Sequence, residues 1–185
     1  MLFPLFLRLE DKDVLVVGAG AVAERKIEEL THAGARVRVV AVDATEGVKA
    51  LGRGRAIALS ERAFEPNDIG EAWLVIAATS DPAVQREVCA LAESKRIFAI
   101  AIDDPPNGTA YSAAVLRRAP LTVAISSDGE APALVRLMRE MFEQILPDQD
   151  WVDAAKALRE KWKKEKTPMA SRFPELVAAF KSRGT

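Results

Sequence analysis

The segment VLVVGAGAVAERK, residues 14–26, constrains the fold more than any other part of the chain. A continuous, β-branched apolar run enters Gly18-Ala19-Gly20, and an amphipathic segment leaves it. The run predicts a buried strand over 13–19. Val22, Ala23, Ile27, Leu30 and Ala33 recur at helical spacing and predict a helix over 21–33, which Gly34 ends. A buried strand that turns through two glycines into a helix needs a parallel neighbour, because both faces of its sheet must be covered.

The following sequence supplies that neighbour. ARVRVVAV (35–42) predicts a second strand, GRAIALSE (54–61) a weak third, AWLVIAAT (72–79) a buried fourth and RIFAIAI (96–102) a fifth. Asp81-Pro82 has the chemistry of an N-cap and a first helical residue, and Val84, Val88, Leu91 and Ala92 give the helix behind it an apolar face. The alternation implies an α/β fold, a parallel sheet with helices on its faces. With 185 residues and 49% apolar content, the chain can bury one such domain plus an appendage.

Composition excludes several function classes. A net charge of −1 gives no general attraction to nucleic acid. One cysteine, Cys89, and one histidine, His32, argue against a disulfide framework or a Cys/His metal cluster. No apolar run reaches the ~18 residues of a membrane span. The first residues show no basic leader or cleavage site, so the expectation is a soluble, cytoplasmic protein without a membrane partner.

Gly18-x-Gly20-x-x-Ala23 fits the dinucleotide-binding fingerprint in its Gly/Ala variant. The first glycine permits the turn, the second admits a pyrophosphate to the backbone, and the small third residue lets helix and strand pack closely. The helix start then offers unpaired N–H groups and a partial positive charge. The competing reading is a tight structural bend. Asp43, after the second strand, could accept an adenine-ribose hydroxyl, which favours NAD over NADP; Arg36 and Arg38 could blur that preference.

Beyond residue 102 the pattern changes. DDPPNG (103–108) is turn-rich and follows a strand end, where ligands of open α/β sheets collect. Asp103 and Asp104 point to opposite sides in an extended chain, so one could enter a cleft as a base; plain turn chemistry is the alternative. PLTVAIS predicts a strand, Ser127 or Asp128 a cap for a helix from about Ala131, and Leu134, Met138, Phe142 and Ile145 one apolar face. That face suits either a dimer contact or ordinary core. Pro147-Asp148 would break the helix. Trp151, Ala155, Leu158 and Trp162 form a stripe beside the charged REKWKKEK, and PELVAAFKSR predicts a last short helix.

Taken together, four segments resemble the precorrin-2 dehydrogenase family of sirohaem synthesis, which includes the N-terminal half of fused sirohaem synthases. FPLFLRLEDKDVLVVGAGAVAERK is similar to that family's opening, LVIAATSDPAVQREV to its Ala-Ala-Thr segment, AIDDPPNG to its Asp-x-Pro loop, and RRAPLTVAISSDGEAPALVRLMRE to its entry into a dimerisation helix.

The resemblance implies an N-terminal Rossmann-type NAD-binding domain over 1–112, a dimerisation strand-helix region over 113–147 and a small C-terminal helical domain over 148–185. It implies oxidation of precorrin-2 to sirohydrochlorin by a homodimer with NAD, and in some members iron insertion. It places the catalytic aspartate on Asp103 and cofactor contacts on Gly18, Gly20, Ala21, Val22, Val42, Asp43, Ala78 and Thr79. A regulatory serine of some members falls on Ser127, for which capping is an equal explanation. The polycarboxylate tetrapyrrole calls for a cationic rim, with Arg117, Arg118, Arg136 and Arg139 as candidates. The chain departs from the family's pattern at Ile100, Ala110 and Ala113, and GEAPAL lacks the family's serine; the departures cluster at the tetrapyrrole side. With no metal-ligand cluster, iron insertion is expected to be absent or weak. Two other readings remain: a different NAD-dependent oxidoreductase on the same scaffold, which no Tyr-x-x-x-Lys pair or catalytic His–acid pair supports, and a non-catalytic NAD-binding sensor or regulatory protein.

Overall fold

The computed structural model describes residues 2–146 and 149–181. It divides into two compact units, 1–112 and 113–185. The Pro147-Asp148 helix break and the final residues of PELVAAFKSR lie outside the described residues.

The first unit is a five-stranded parallel sheet in the order β3-β2-β1-β4-β5, formed by β1 (Asp13–Ala19), β2 (Arg36–Ala44), β3 (Ala58–Glu61), β4 (Leu74–Ala77) and β5 (Phe98–Ala101). The chain runs outward from β1 to β3, then returns to β4 on the other side of β1. The β1/β4 boundary is therefore the switch point at which crossovers diverge and a crevice opens at the carboxyl ends of the strands. Val14, Leu15, Val16, Ile76 and Val75 in β1 and β4 are almost completely buried, as strands covered on both faces must be.

Helix α1 (Ala21–His32) buries Ala23, Ile27 and Leu30; Val22 and Ala33, expected on the same stripe, are exposed. Gly34 (φ +78°) ends the helix in the left-handed conformation. Helix α2 (Glu46–Arg53) was not expected from the sequence. Its propensity is poor, with glycines at 47 and 52, but Thr45 accepts a cap hydrogen bond from the Val48 N–H and Val48 is wholly buried. Helix α3 (Pro82–Ser94) starts as expected: the Asp81 carboxylate accepts from the Ala83 and Val84 N–H groups at 2.8 and 3.3 Å.

Four of the sheet's strands differ in their bounds from the sequence reading, β3 beginning only at Ala58. β4 and β5 are shorter, so Ala78, Thr79 and Ile102 extend beyond their ends. β2 runs on to Ala44, so Asp43 lies within it rather than after it. Between the pairs Val17↔Val40 and Ala19↔Ala44, β1 advances two residues while β2 advances four. The excess chain bulges outward at 41–43, and Val42 and Asp43 are exposed.

The second unit pairs β6 (Ala114–Arg118), which the sequence reading missed, antiparallel with β7 (Leu121–Ile125). Helix α4 (Pro132–Ile145) packs on this hairpin. Its N-cap residue is Ala131, without a side-chain cap, contrary to the expected Ser127 or Asp128 cap; Ser127 Oγ instead accepts from the Ala131 N–H at 2.9 Å, and Asp128 (φ 57°) turns the chain. On the expected apolar face, Met138 and Phe142 are half-buried, whereas Leu134 and Ile145 are exposed. Helices α5 (Gln149–Glu165) and α6 (Met169–Lys181) form a hairpin, held by Trp151 stacked on Phe180 at 4.1 Å and by Trp162 Nε1 donating to Glu175 at 2.7 Å.

A half-buried ion pair holds the segment between β3 and β4. The Arg62 guanidinium donates to both Asp68 oxygens at 2.8 and 2.6 Å, and the Glu65 N–H adds a third bond. The Arg62 hydrogen bond holds the Asp68 carboxyl below its ordinary pKa, against the opposing effect of burial. A depressed folded-state pKa adds stability at pH above the ordinary carboxylate value and loses it as pH falls through the depressed one. Asp68→Asn should therefore lower stability by about 1–2 kcal/mol at pH 7. The difference from the parent should shrink as pH falls below 4, measured by urea unfolding against pH.

Candidate functional site

The site is built on the carboxyl edge of the first unit's sheet. Gly18 has φ +105°, and a Cβ there would stand 2.3 Å from the Ala78 carbonyl oxygen. The glycine thus lets the turn after β1 pack directly on the chain leaving β4, where Ala78 N–H donates to Val17 O at 2.7 Å. Gly20 differs in kind. Its backbone is extended (φ −78°, ψ −178°), which any residue can adopt, and a Cβ there would meet nothing within 4 Å. What Gly20 preserves is open space in front of α1.

That space lies before N–H groups that no side chain caps, because Gly20 is the N-cap and makes no side-chain bond. The first intrahelical bond runs from Glu24 N–H to Gly20 O, so the amides of Ala21 and Val22 precede the helical ladder. Ala21 and Val22 are exposed at this mouth, and Ala78 and Thr79 are half-buried on the β4 side. An uncapped helix start at a switch point suits a phosphate, so the residues present fit a dinucleotide at this turn.

The bulge of β2 presents Asp43 at the same edge. Its carboxylate accepts from the Ala44 N–H at 2.8 Å and lies 3.6 Å from Lys49 Nζ. Arg36 and Arg38, the cations nearest Asp43 in sequence on β2, are engaged elsewhere. Arg36 forks onto Asp13 at 3.1 and 2.9 Å, and Arg38 donates to Asp68 O at 2.9 Å. Lys49, on the unexpected helix α2, is the cation beside Asp43.

At the end of β5 the two neighbouring acids separate. Asp104 precedes a short 3-10 turn (Pro105–Asn107) and accepts a hydrogen bond from the Asn107 side-chain amide. Asp103 is exposed, stands at φ 63°, and has no side-chain partner among the described residues. A left-handed non-glycine residue is sparsely populated, although Asp tolerates it better than most.

The sequence reading did not single out the residue that fixes this loop. Gln85 is 5% exposed, and its amide donates to Ile102 O at 2.6 Å and to Ala77 O at 3.2 Å. It ties the residue preceding Asp103 to the end of β4. Its sequence signal was a polar side chain on the buried face of α3, between Val84 and Val88. Below it the Cys89 thiol is pushed up in pKa by burial and by the Asp104 charge, and remains protonated at neutral pH.

The four candidate arginines all lie in the second unit. Arg118 donates to Leu146 O at 2.6 Å and Glu143 O at 2.9 Å, closing the C-terminal end of α4. Arg118, one of the four candidates for a substrate-facing rim, is thus bonded to backbone carbonyls of its own unit. Arg136 and Arg139 pair with Glu140 and Glu143 one turn on, and Arg117 is exposed on β6. Among the described residues no group of His, Cys, Asp or Glu is arranged to hold a metal, and no helix is long and apolar enough to cross a membrane.

The NAD(P)-binding family profile matches residues 5–114, and the sirohaem biosynthesis protein central profile matches residues 118–145. Siroheme synthase 2 of Pectobacterium atrosepticum is 42% identical over 144 residues, covering 78% of this chain and 31% of its own length. Siroheme synthase 3 of Aeromonas hydrophila is 41% identical over 171 residues, covering 91% and 36%. The chain thus spans about a third of the length of these relatives. The solved structure of SirC, a precorrin-2 dehydrogenase, superposes with a TM-score of 0.74 over 96% of this chain and 88% of that one, at 20% identity, and shares the fold. An open glycine turn at the switch point of a parallel sheet, within a match that runs from residue 5 to 114, makes this chain a member of the NAD(P)-binding family, followed by the sirohaem central region.

Proposed function

We propose that the chain is an NAD-dependent precorrin-2 dehydrogenase, which oxidises a polycarboxylate tetrapyrrole to sirohydrochlorin. The observation that carries this reading is the pairing, on one sheet edge, of an uncapped helix mouth with an exposed, uncommitted Asp103 carboxylate. When bound, NAD+ supplies the hydride acceptor. The amides of Ala21 and Val22 would hold its pyrophosphate, with Gly18 and Gly20 keeping the approach clear. Asp43 accepts ribose hydroxyls, Val22 and Val42 offer apolar surface, and Ala78 and Thr79 line the β4 side.

Oxidation removes a hydride and a proton from the substrate. Asp103 takes the proton as general base, while Asp104 is occupied by its turn. Gln85 acts as a positioning residue by fixing the carbonyl of Ile102. Arg117, Arg136 and Arg139 are the candidates for the substrate's carboxylates, Arg136 and Arg139 after exchanging their helix partners. Residues 1–112 form the cofactor domain, 113–147 the dimerisation region and 148–185 a helical domain; the exposed Leu134, Leu137, Met141 and Ile145 of α4 support a homodimer. A cytoplasmic location fits this chemistry, and iron insertion is expected to be weak.

The two halves of the reading are tested separately. Gly20→Val should fold normally, since its Cβ meets nothing, yet weaken NAD+ binding about tenfold or more by filling the phosphate space. Gly18→Val should instead lower thermal stability, because its Cβ collides with backbone. Calorimetric NAD+ titration and thermal melting distinguish them, and normal NAD+ binding by Gly20→Val would refute the mouth assignment. Asp103→Asn should keep NAD+ affinity within about twofold and lose NADH formation from precorrin-2 by roughly 10²-fold or more. Asp104→Asn should do little; the reverse pattern would move the base to Asp104.

A further inference from the structure

The strand bulge that exposes Asp43 also sets it beside a cation. Lys49 Nζ stands 3.6 Å from Asp43, 3.6 Å from Glu61 and 4.0 Å from Glu46, and Arg53 lies 3.7 Å from Glu46. Lys49 and Arg53 line a hollow of about 310 Å³ with Gly52, Leu59 and Glu61. The Lys49 side chain is only 28% exposed, whereas Asp43 is 90% exposed. The ammonium is therefore held at the wall of the hollow while the acid reaches outward.

An acid in the position of Asp43 selects NAD over NADP by accepting the 2′-hydroxyl and repelling a 2′-phosphate. Arg36 and Arg38 cannot soften that repulsion, because their guanidinium groups are bonded to Asp13 and to the Asp68 carbonyl. Lys49 can. We propose that Lys49 sets the dinucleotide preference of this site, as a 2′-phosphate ligand restrained by Asp43, Glu46 and Glu61. NAD is preferred because three carboxylates surround two cations; NADP is admitted weakly because Lys49 offsets Asp43. Lowering the carboxylate count shifts the preference toward NADP, and removing the ammonium sharpens it toward NAD.

This inference rests on the dinucleotide site proposed above, and its test uses binding alone. NAD+ and NADP+ are titrated calorimetrically into the full chain, into Lys49→Met and into Glu61→Gln, with thermal melting of each. Lys49→Met should lose NADP+ affinity about fivefold or more with NAD+ within about twofold, and Glu61→Gln should gain NADP+ affinity about threefold with NAD+ unchanged, as expected for one charge at short range near a surface. Both effects on NADP+ should fade at high salt. An NAD+/NADP+ preference that is the same in the parent and both variants overturns the role of Lys49 while leaving the dinucleotide site intact. A parent chain that binds neither nucleotide overturns the site itself, and the inference with it. Should Lys49→Met fail to fold, Glu61→Gln decides alone.

Discussion

Everything at the carboxyl edge depends on one close approach, that of the turn after β1 to the Ala78 carbonyl. Only a residue without a Cβ, and with access to φ +105°, can occupy position 18. Just before that approach β1 and β4 pair in continuous register, from Val14↔Leu74 to Val17↔Ala77, the last residue of β4. The approach starts α1 at the boundary where the chain changes direction across the sheet. The two glycines divide the work: one makes the contact, the other keeps the resulting space empty.

The elements around this contact are hierarchically coupled. Strand β1 is stabilised by burial on both faces, and strands β2 and β4 pair directly with it. Their carboxyl ends carry the polar groups that a ligand would meet, and each is fixed by a specific bond. Thr45 N–H donates to Ala19 O at 3.0 Å, tying the end of β2 to β1. Ile102 N–H donates to Ala77 O at 2.9 Å, and Gln85 adds its amide to the same pair of strands. Asp43 and Asp103 thus stand on backbone locked to the central strands, although both side chains face solvent. A rigid edge carrying exposed acids is the arrangement expected where side chains are held ready for a ligand rather than for the core.

The sequence showed the elements whose own residues determine them. β1 and β4 are continuous apolar runs, and α3 announces itself through Asp81-Pro82, whose cap chemistry is local. The glycine turn was legible because each of its positions has a separate steric role. α2 was not legible, since the glycines at 47 and 52 argue against a helix and its stability comes from burying Val48. β6 was hidden for a similar reason: only Leu116 of its residues is buried, and its partner β7 supplies the pairing.

The candidate site divides along the same line. Which residues could bind a dinucleotide follows from local pattern, so Gly18, Gly20 and Asp43 were nameable from the sequence. Which charges act together does not, because pairing is made by tertiary neighbours. Arg36 and Arg38 share a strand with Asp43, yet one turns to Asp13 and the other to the chain at Asp68. Lys49 lies on a helix whose existence the local pattern argued against, and it is the group that reaches Asp43. The choice between Asp103 and Asp104 follows the same logic. Adjacent acids are equivalent in composition and become different only when Asn107 folds back onto one of them. The electrostatic character of this edge is therefore set by the register of β2 and by the short turns after β2 and β5, and substitutions that leave every named acid in place can still alter it by moving Lys49 or Asn107.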